Sequence, residues 1–393
     1  MRYVIVGAGI IGMATAYELT RRYPDATVTV LDKEDRVAAH QTGHNSGVIH
    51  AGVYYRPGSL RAKLCVAGNR SMVDFCTEHD VPVEVTGKLI VATDESELPR
   101  LNALHERAVA NGIPARLLTT AEAREHEPYV DCSAAVHVPS TGIVDFAAVC
   151  RTLATLVEER GGALRLGARV TGIRPGALTT IHTTAGDVTA DVLVNCAGLH
   201  ADRLARLAGV DPPARVVPFR GEYYDLRPER RHLVRGLIYP VPDPRLPFLG
   251  VHLTRGIDGS VHAGPNAVLA LAREGYRRSR VNLRDLAAAA AYPGLWRLAR
   301  RHFRYGVAEF RRSMSTRRFA ADAARLVPEL TAGDLRRAGS GVRAQNVTPS
   351  GDIVDDFLIV TRPGQVHVLN APSPAATCAL EIAKQVVSTL PAQ

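Results

Sequence analysis

Three features are scarce in this 393-residue sequence. Aromatic residues make up 5%, with a single tryptophan, and no stretch approaches the ~20 uninterrupted apolar residues of a membrane-spanning helix. The six cysteines (Cys65, Cys76, Cys132, Cys150, Cys196 and Cys378) form neither a Cys-x-x-Cys pair nor a Cys/His group at zinc spacing. A disulfide scaffold and a metal site are therefore excluded, and reduced, mostly buried thiols are expected. The chain opens from Met1 to Val6 in a strand-like run. It lacks the apolar stretch and small-residue cleavage site of a secretory signal, so an intracellular, cytoplasmic protein is expected.

What is present describes a soluble chain too long for one compact core, with 46% hydrophobic and 22% charged residues. The net charge is +9, unevenly placed: from Arg273 to Arg318 thirteen arginines face only Glu274, Asp285 and Glu309. A uniformly basic, aromatic-rich surface would suggest nucleic acid, and this is neither. Two readings stand for the basic segment, a solvated helical face or a docking face for anionic lipid or an acidic partner.

The N-terminus carries the clearest motif. Tyr3–Val6 reads as a strand, Gly7-Ala8-Gly9-Ile10-Ile11-Gly12 as a turn, Met13 to Arg22 as a helix and Ala26–Leu31 as a second strand closed by Asp32. Gly7 permits the tight turn, Gly9 admits a pyrophosphate, and Gly12 lets helix and strand pack closely. The helix N-terminus attracts phosphate, and Asp32 is placed to accept from a ribose, with Lys33 beside it. This is a dinucleotide site. FAD in particular needs further contacts along the flavin, and three segments offer them. They are the loop Gln41, Thr42, Gly43, His44, Asn45, Ser46, Gly47 and Val48; the strand end at Ala197 and Gly198; and the C-terminal run Ser373, Pro374, Ala375, Ala376 and Thr377. Ser373 is a natural N-cap and Pro374 a natural first residue of a helix running to about Leu390. Val170 is a further cofactor contact.

Between these segments the texture changes. A strand is expected at Val83–Thr93 and a helix at Glu95–Asn111, with short strands at Val216–Tyr224, Phe248–Leu253 and Ser260–Ala263. An Arg/Ala-rich helical region follows from about Val268 to Leu330. The expected architecture is α/β: a Rossmann-type cofactor domain assembled from residues 1–82, 140–212 and 338–393. A mixed β-sheet substrate domain, from 83–139 and 213–337, is inserted into it.

The runs His40–Tyr55, Pro218–Tyr223, Ile238–Asp243, Leu249–His252, Gly264–Ala270, Gly341–Gln345 and Asn370–Thr377 together resemble the FAD-dependent D-amino-acid-oxidase-like superfamily. Within it they are most similar to the members that oxidise L-2-hydroxyglutarate. The resemblance implies a glycine-oxidase-like or sarcosine-oxidase-like fold, non-covalent FAD, a 2-hydroxy dicarboxylate substrate and 2-oxoglutarate as product. Electrons would pass to oxygen or a membrane quinone, with peripheral contact on the inner face of the cell membrane. Oxidising a 2-hydroxy acid needs a base within ~3 Å of the hydroxyl, and a neutral histidine suits. His252 falls where sarcosine-oxidase-like relatives keep an active-site histidine, and His50 follows the flavin loop. Both stand as the base, with His44 a third. Arg343 matches the carboxylate-binding arginine of glycine-oxidase-like relatives, and Tyr239 a substrate-facing tyrosine. Arg220, Tyr54 and Asn370 are candidates for the distal carboxylate. A glycine- or sarcosine-type amine oxidase would share this scaffold.

Overall fold

The computed structural model describes residues 1–245 and 248–390. One layer is a six-stranded sheet in the order Leu358–Arg362, Gln365–Asn370, Val192–Asn195, Arg2–Val6, Thr27–Leu31, Ala163–Arg165. Only the Leu358–Arg362 edge runs antiparallel. Alternation along Arg2–Val6 divides two cores. Tyr3 and Ile5 pack with Met13, Leu19 and Val149 beneath the helices Ile10–Arg22, Phe146–Glu159 and Ala379–Ser388. Val4 and Val6 pack the opposite way, against Ile181, Ala190 and Leu204. Both faces of a largely parallel sheet are thereby covered, as such a sheet requires.

The second layer is a nine-stranded, mainly antiparallel sheet. Its long members are Arg215–Leu226 and Leu335–Val347, paired from Arg215↔Val347 to Leu226↔Leu335. Lys88–Ala92 and Leu237–Pro240 lie side by side in parallel near its middle, and His252–Arg255 follows Leu237–Pro240. Among the described residues, no helix is long and apolar enough to cross a membrane.

Several expected elements shift. The expected strand Val83–Thr93 is split at Gly87, whose φ of +71° turns the chain, so Val83–Glu84 joins a small separate sheet. Its neighbour at Phe248–Leu253 is observed only as His252–Arg255. The helical region does not begin at Val268, because Val268–Leu269 pairs with Phe219 and Arg220 as a strand. Helix starts when Asn282 accepts from the Asp285 amide at 3.1 Å, and Pro293 and Ser315 begin later helices. The result is four short helices, Leu283–Ala290, Pro293–Arg301, Phe303–Met314 and Thr316–Ala324. The strand Leu335–Val347, not foreseen, crosses the expected 337/338 boundary and lies wholly in the second sheet. The last helix begins at Ala379 rather than Pro374. The Ser373 carbonyl accepts from the Arg61 guanidinium, from Nε at 2.9 Å. Residues 373–378 instead form turns. All six cysteines are free and buried.

Candidate active site

The end of the first strand becomes a cradle for a physical reason. Gly7 has φ +115°, and a Cβ there would overlap the Cys196 carbonyl; one at Gly12 would overlap the Gly7 carbonyl. The helix that follows takes Gly9 as its N-cap with no side chain capping it, which leaves its amide end available to an anion. The Ile10 amide is the exception, donating to Thr42 Oγ1 at 3.0 Å, and this ties the flavin loop to the glycine turn. Asp32 accepts from the Ala8 amide at 2.6 Å and from the Glu34 amide at 2.9 Å, so the acid also fixes the turn.

The loop holds itself together. Asn45 Nδ2 donates to the Thr42 carbonyl at 2.6 Å, and the Gly47 amide donates to Asn45 Oδ1 at 2.8 Å. The His44 ring stacks on Tyr276 at 4.2 Å, and burial lowers its basicity. Lys33 pairs with Glu34 and, at 2.7 Å, with Glu274, which also receives His200 Nε2 at 2.9 Å. Burial opposes charge on Glu274, yet His200 and Lys33 hold its carboxyl well below the usual range. Glu34, His40 and Glu274 approach closely enough to hold a cation, and the Lys33 ammonium already sits among them.

One cavity of about 1840 Å³ joins the two layers. Its wall includes Gly7, Gly9, Ile10, Asp32, Lys33, Gln41, Thr42, His44, Asn45, Ser46, Val48, Val170, Ala197, Gly198 and Ser373 to Thr377. His50, Tyr54, Tyr239, His252 and Arg343 line it as well. Gly12 and Gly47 lie behind the wall. Arg220 and Asn370 do not reach it. The Arg220 guanidinium binds Glu222 at 3.1 Å, while Asn370 bridges the Val354 and Asp356 carbonyls and accepts from Asn346. Both are engaged internally and drop out as substrate contacts.

The substrate side is built on the second sheet. His252, on a strand edge, is buried, stacked on Tyr239 at 4.0 Å, and its Nδ1 lies 2.9 Å from the Gly250 carbonyl. A carbonyl only accepts, so Nδ1 carries the proton and Nε2 the lone pair. Burial, with smaller effects from Arg343 and Lys88, pushes His252 down to about 3, leaving it neutral. His50 is likewise pushed well below its usual value by burial, and its Nδ1 has no partner. Its amide donates to Thr377 Oγ1 at 3.1 Å and its carbonyl accepts from Asn69 at 3.2 Å. Arg343 lies over the Phe248 ring at 5.1 Å and, among the described residues, has no hydrogen-bond or ion-pair partner. The Tyr54 hydroxyl is also buried and unpartnered.

Sequence reasoning missed Lys88. It is 2% exposed, and burial pushes its ammonium down to about 7. The available signal was a cation opening the apolar strand Leu89-Ile90-Val91-Ala92 directly after a glycine.

These residues fit FAD. The uncapped amide end and the glycine cradle open on a space, lined also by His50 and Tyr54, that is larger than the ~300–1,000 Å³ of ordinary small-molecule pockets. The cavity is suited to a dinucleotide and a small second ligand together. Fold and site thus define a two-layer flavoenzyme, and the chain belongs to the FAD-dependent oxidoreductase family (DAO), whose model matches residues 2–389. It is an enzyme, and FAD is its cofactor. Among curated relatives it is 46% identical over 382 residues, 96% of each chain, to L-2-hydroxyglutarate dehydrogenase of Indibacter alkaliphilus. Among solved structures, FAD-bound L-alpha-glycerophosphate oxidase from Mycoplasma pneumoniae superposes with a TM-score of 0.81 at 24% identity, covering 98% of this chain and 93% of that one. Glycine oxidase from Geobacillus kaustophilus gives 0.73 at 20% identity, covering 98% and 94%. The expected glycine-oxidase-like fold is the one observed.

Proposed function

We propose that this enzyme oxidises L-2-hydroxyglutarate to 2-oxoglutarate. The observation that carries the reading is the pairing of a neutral His252, whose Nε2 lone pair is free, with an unpartnered Arg343 in the same cavity. The similarity to dehydrogenases named for that substrate supplies the rest. Arg343 holds the carboxylate beside the reacting carbon by its planar fork. His252 Nε2 takes the hydroxyl proton, while the Nδ1–H bond to Gly250 keeps the ring in the tautomer and orientation that require it. Tyr239 stacks behind that ring and limits its rotation. Bound FAD, held non-covalently, supplies the two-electron acceptor for the hydrogen leaving C2. His50, anchored through Thr377 and Asn69, closes the cavity beside the flavin segment and is the second candidate for the base.

The two units are read as cofactor-binding and substrate-binding, with the last boundary moved beyond Val347. The electron acceptor is oxygen or a membrane quinone, and contact with the bilayer is peripheral, from the cytoplasmic side. Support for that contact comes from the four short helices. Leu283, Trp296, Phe303, Phe310 and Met314 are all exposed there, among eight exposed arginines, and Arg277, Arg280 and Val281 are exposed just before them. Four arginines of the segment pair with carboxylates, Arg273 with Asp202, Arg278 with Glu222, Arg312 with Glu309 and Asp322, and the exposed Arg301 with Asp352.

An anaerobic titration with each enantiomer of 2-hydroxyglutarate, followed by flavin absorbance, tests the reaction. Bleaching by the L form alone is expected. Bleaching by glycine or sarcosine, with none by either enantiomer, would replace the reading by an amine oxidase.

A further inference from the structure

Lys88 opens a strand in which every residue is buried. Its ammonium lies 4.7 Å from the centre of the Tyr54 ring and 4.8 Å from that of Tyr239, and both tyrosines line the cavity. Among the described residues, no carboxylate or carbonyl pairs with it. The Cys65 thiol nearby is engaged elsewhere, donating to the His50 carbonyl at 3.4 Å. Two aromatic faces return only part of what it costs to take an ammonium out of water. A buried cation in this state lacks an anion.

Arg343 is a second cation whose side chain has no hydrogen-bond or ion-pair partner among the described residues, and it lines the same cavity. The charges of both act on His252, and that of Lys88 acts on His50 as well, so both cations lie within electrostatic reach of His252. A ligand with one carboxylate, held by Arg343, leaves Lys88 uncompensated. One with a second anionic group a few carbons away answers both. Neither Arg220 nor Asn370 is free to do so.

We propose that Lys88 determines specificity for a second negative charge on the substrate, acting from behind the wall formed by Tyr54 and Tyr239. This rests on reading the substrate as a 2-hydroxy dicarboxylate. Lys88 need not touch the ligand: at the low polarity of this wall a charge is felt across a ring.

The test uses the FAD-loaded enzyme and two ligands that cannot be oxidised further there, 2-oxoglutarate and 2-oxopentanoate. The second replaces the distal carboxylate by a methyl group. Calorimetry at pH 6.5 and constant low ionic strength gives the dissociation constants. Lys88→Met is expected to weaken 2-oxoglutarate at least tenfold and 2-oxopentanoate less than twofold, with Lys88→Arg restoring part of the preference. An equal loss for both ligands, or no loss, overturns the proposal. A wild-type enzyme that binds both ligands alike overturns the dicarboxylate reading itself. Should Lys88→Met fail to retain FAD, the wild-type ratio of the two constants is followed from pH 6 to 9. The groups facing the ammonium are Tyr54, Tyr239, His50, His252 and Cys65; burial moves the tyrosines up and the histidines down, away from that window. The ratio should fall toward unity with rising pH, and a constant ratio overturns the role of Lys88.

Discussion

At the scale of single residues, the site pairs neutral bases with unpartnered cations. His252→Ala should slow flavin reduction by about 10²–10⁴-fold, the range for loss of a general base, while FAD stays bound. Stopped-flow absorbance reads this directly. If His252→Ala reduces at the wild-type rate and His50→Ala is inactive, the base is His50. Because His252 is pushed down to about 3, it is neutral above that pH and charged only below it. The reduction rate should therefore show no acid limb between pH 5 and 7, and a limb centred near 6.5 would mean a solvated histidine does the work. Arg343→Lys keeps the charge and loses the fork, so substrate binding should weaken by roughly 1.5–3 kcal/mol, seen as a raised KM. Most of the residues expected at the site do line the cavity, because each belongs to a motif with a geometric requirement: a glycine turn, an acid after a strand, a histidine-rich loop. Arg220 and Asn370 were not separable from true lining residues, since only tertiary structure shows that Glu222 and the Val354 carbonyl already hold them. Lys88 stayed hidden for the opposite reason. A lone lysine reads as solvated surface until its strand is known to be central.

At the scale of elements, the inserted segments are fastened to the cofactor layer by buried charge. Asp202, fully buried on the helix Ala201–Leu207, accepts both Arg273 terminal nitrogens and the Val216 amide. Burial opposes its ionisation, but Arg273 and the Val216 amide hold the carboxyl below its usual value. Its stabilising effect is thus fully present above the unfolded carboxylate range near ~3.9 and lost as pH falls through the lower folded value. Asp202→Asn leaves Arg273 buried and uncompensated, and should cost about 3–5 kcal/mol in urea denaturation at pH 7. A loss under 1 kcal/mol would place that arginine in contact with water. Element boundaries were legible where periodicity was strong, as for the expected helix Glu95–Asn111, observed as Leu98–Ala110 behind a short helical turn at Glu95–Glu97. They failed at the last helix, which begins at Ala379 rather than at Pro374. They failed too where pairing overrode composition. Leu335–Val347 contains two glycines and three charged residues, and becomes a strand because Arg215–Leu226 offers it a long extended partner.

At the scale of the whole molecule, charge is segregated. Eight exposed arginines and three exposed aromatic rings, Trp296, Phe303 and Phe310, share four adjacent short helices, and Arg277 and Arg280 are exposed just before them. Each cation near an anionic bilayer contributes about 1 kcal/mol, and aromatic rings add an apolar foothold at the headgroup level. Co-sedimentation with phosphatidylglycerol-containing liposomes is expected at low salt and should fade toward 1 M, where screening acts over ~3 Å. Replacing Trp296, Phe303 and Phe310 with serine should weaken binding without slowing flavin reduction. No sedimentation even at low salt would leave the segment as a solvated face.

The six-stranded sheet takes its members from residues 2–31, 163–195 and 358–370, with the last two pairing beside Val192–Asn195. During synthesis the glycine cradle therefore leaves the ribosome long before the strand that completes its sheet. At the usual 5–20 residues per second, the interval between them lasts roughly 20–70 s. Through that time Tyr3, Ile5 and Val194 lack the Val366 and Val368 side chains that share their core. Because residues 368–369 and 371–377 also line the cavity, a ribosome stalled before residue 358 is expected to hold a nascent chain that has every phosphate-binding glycine yet does not turn yellow.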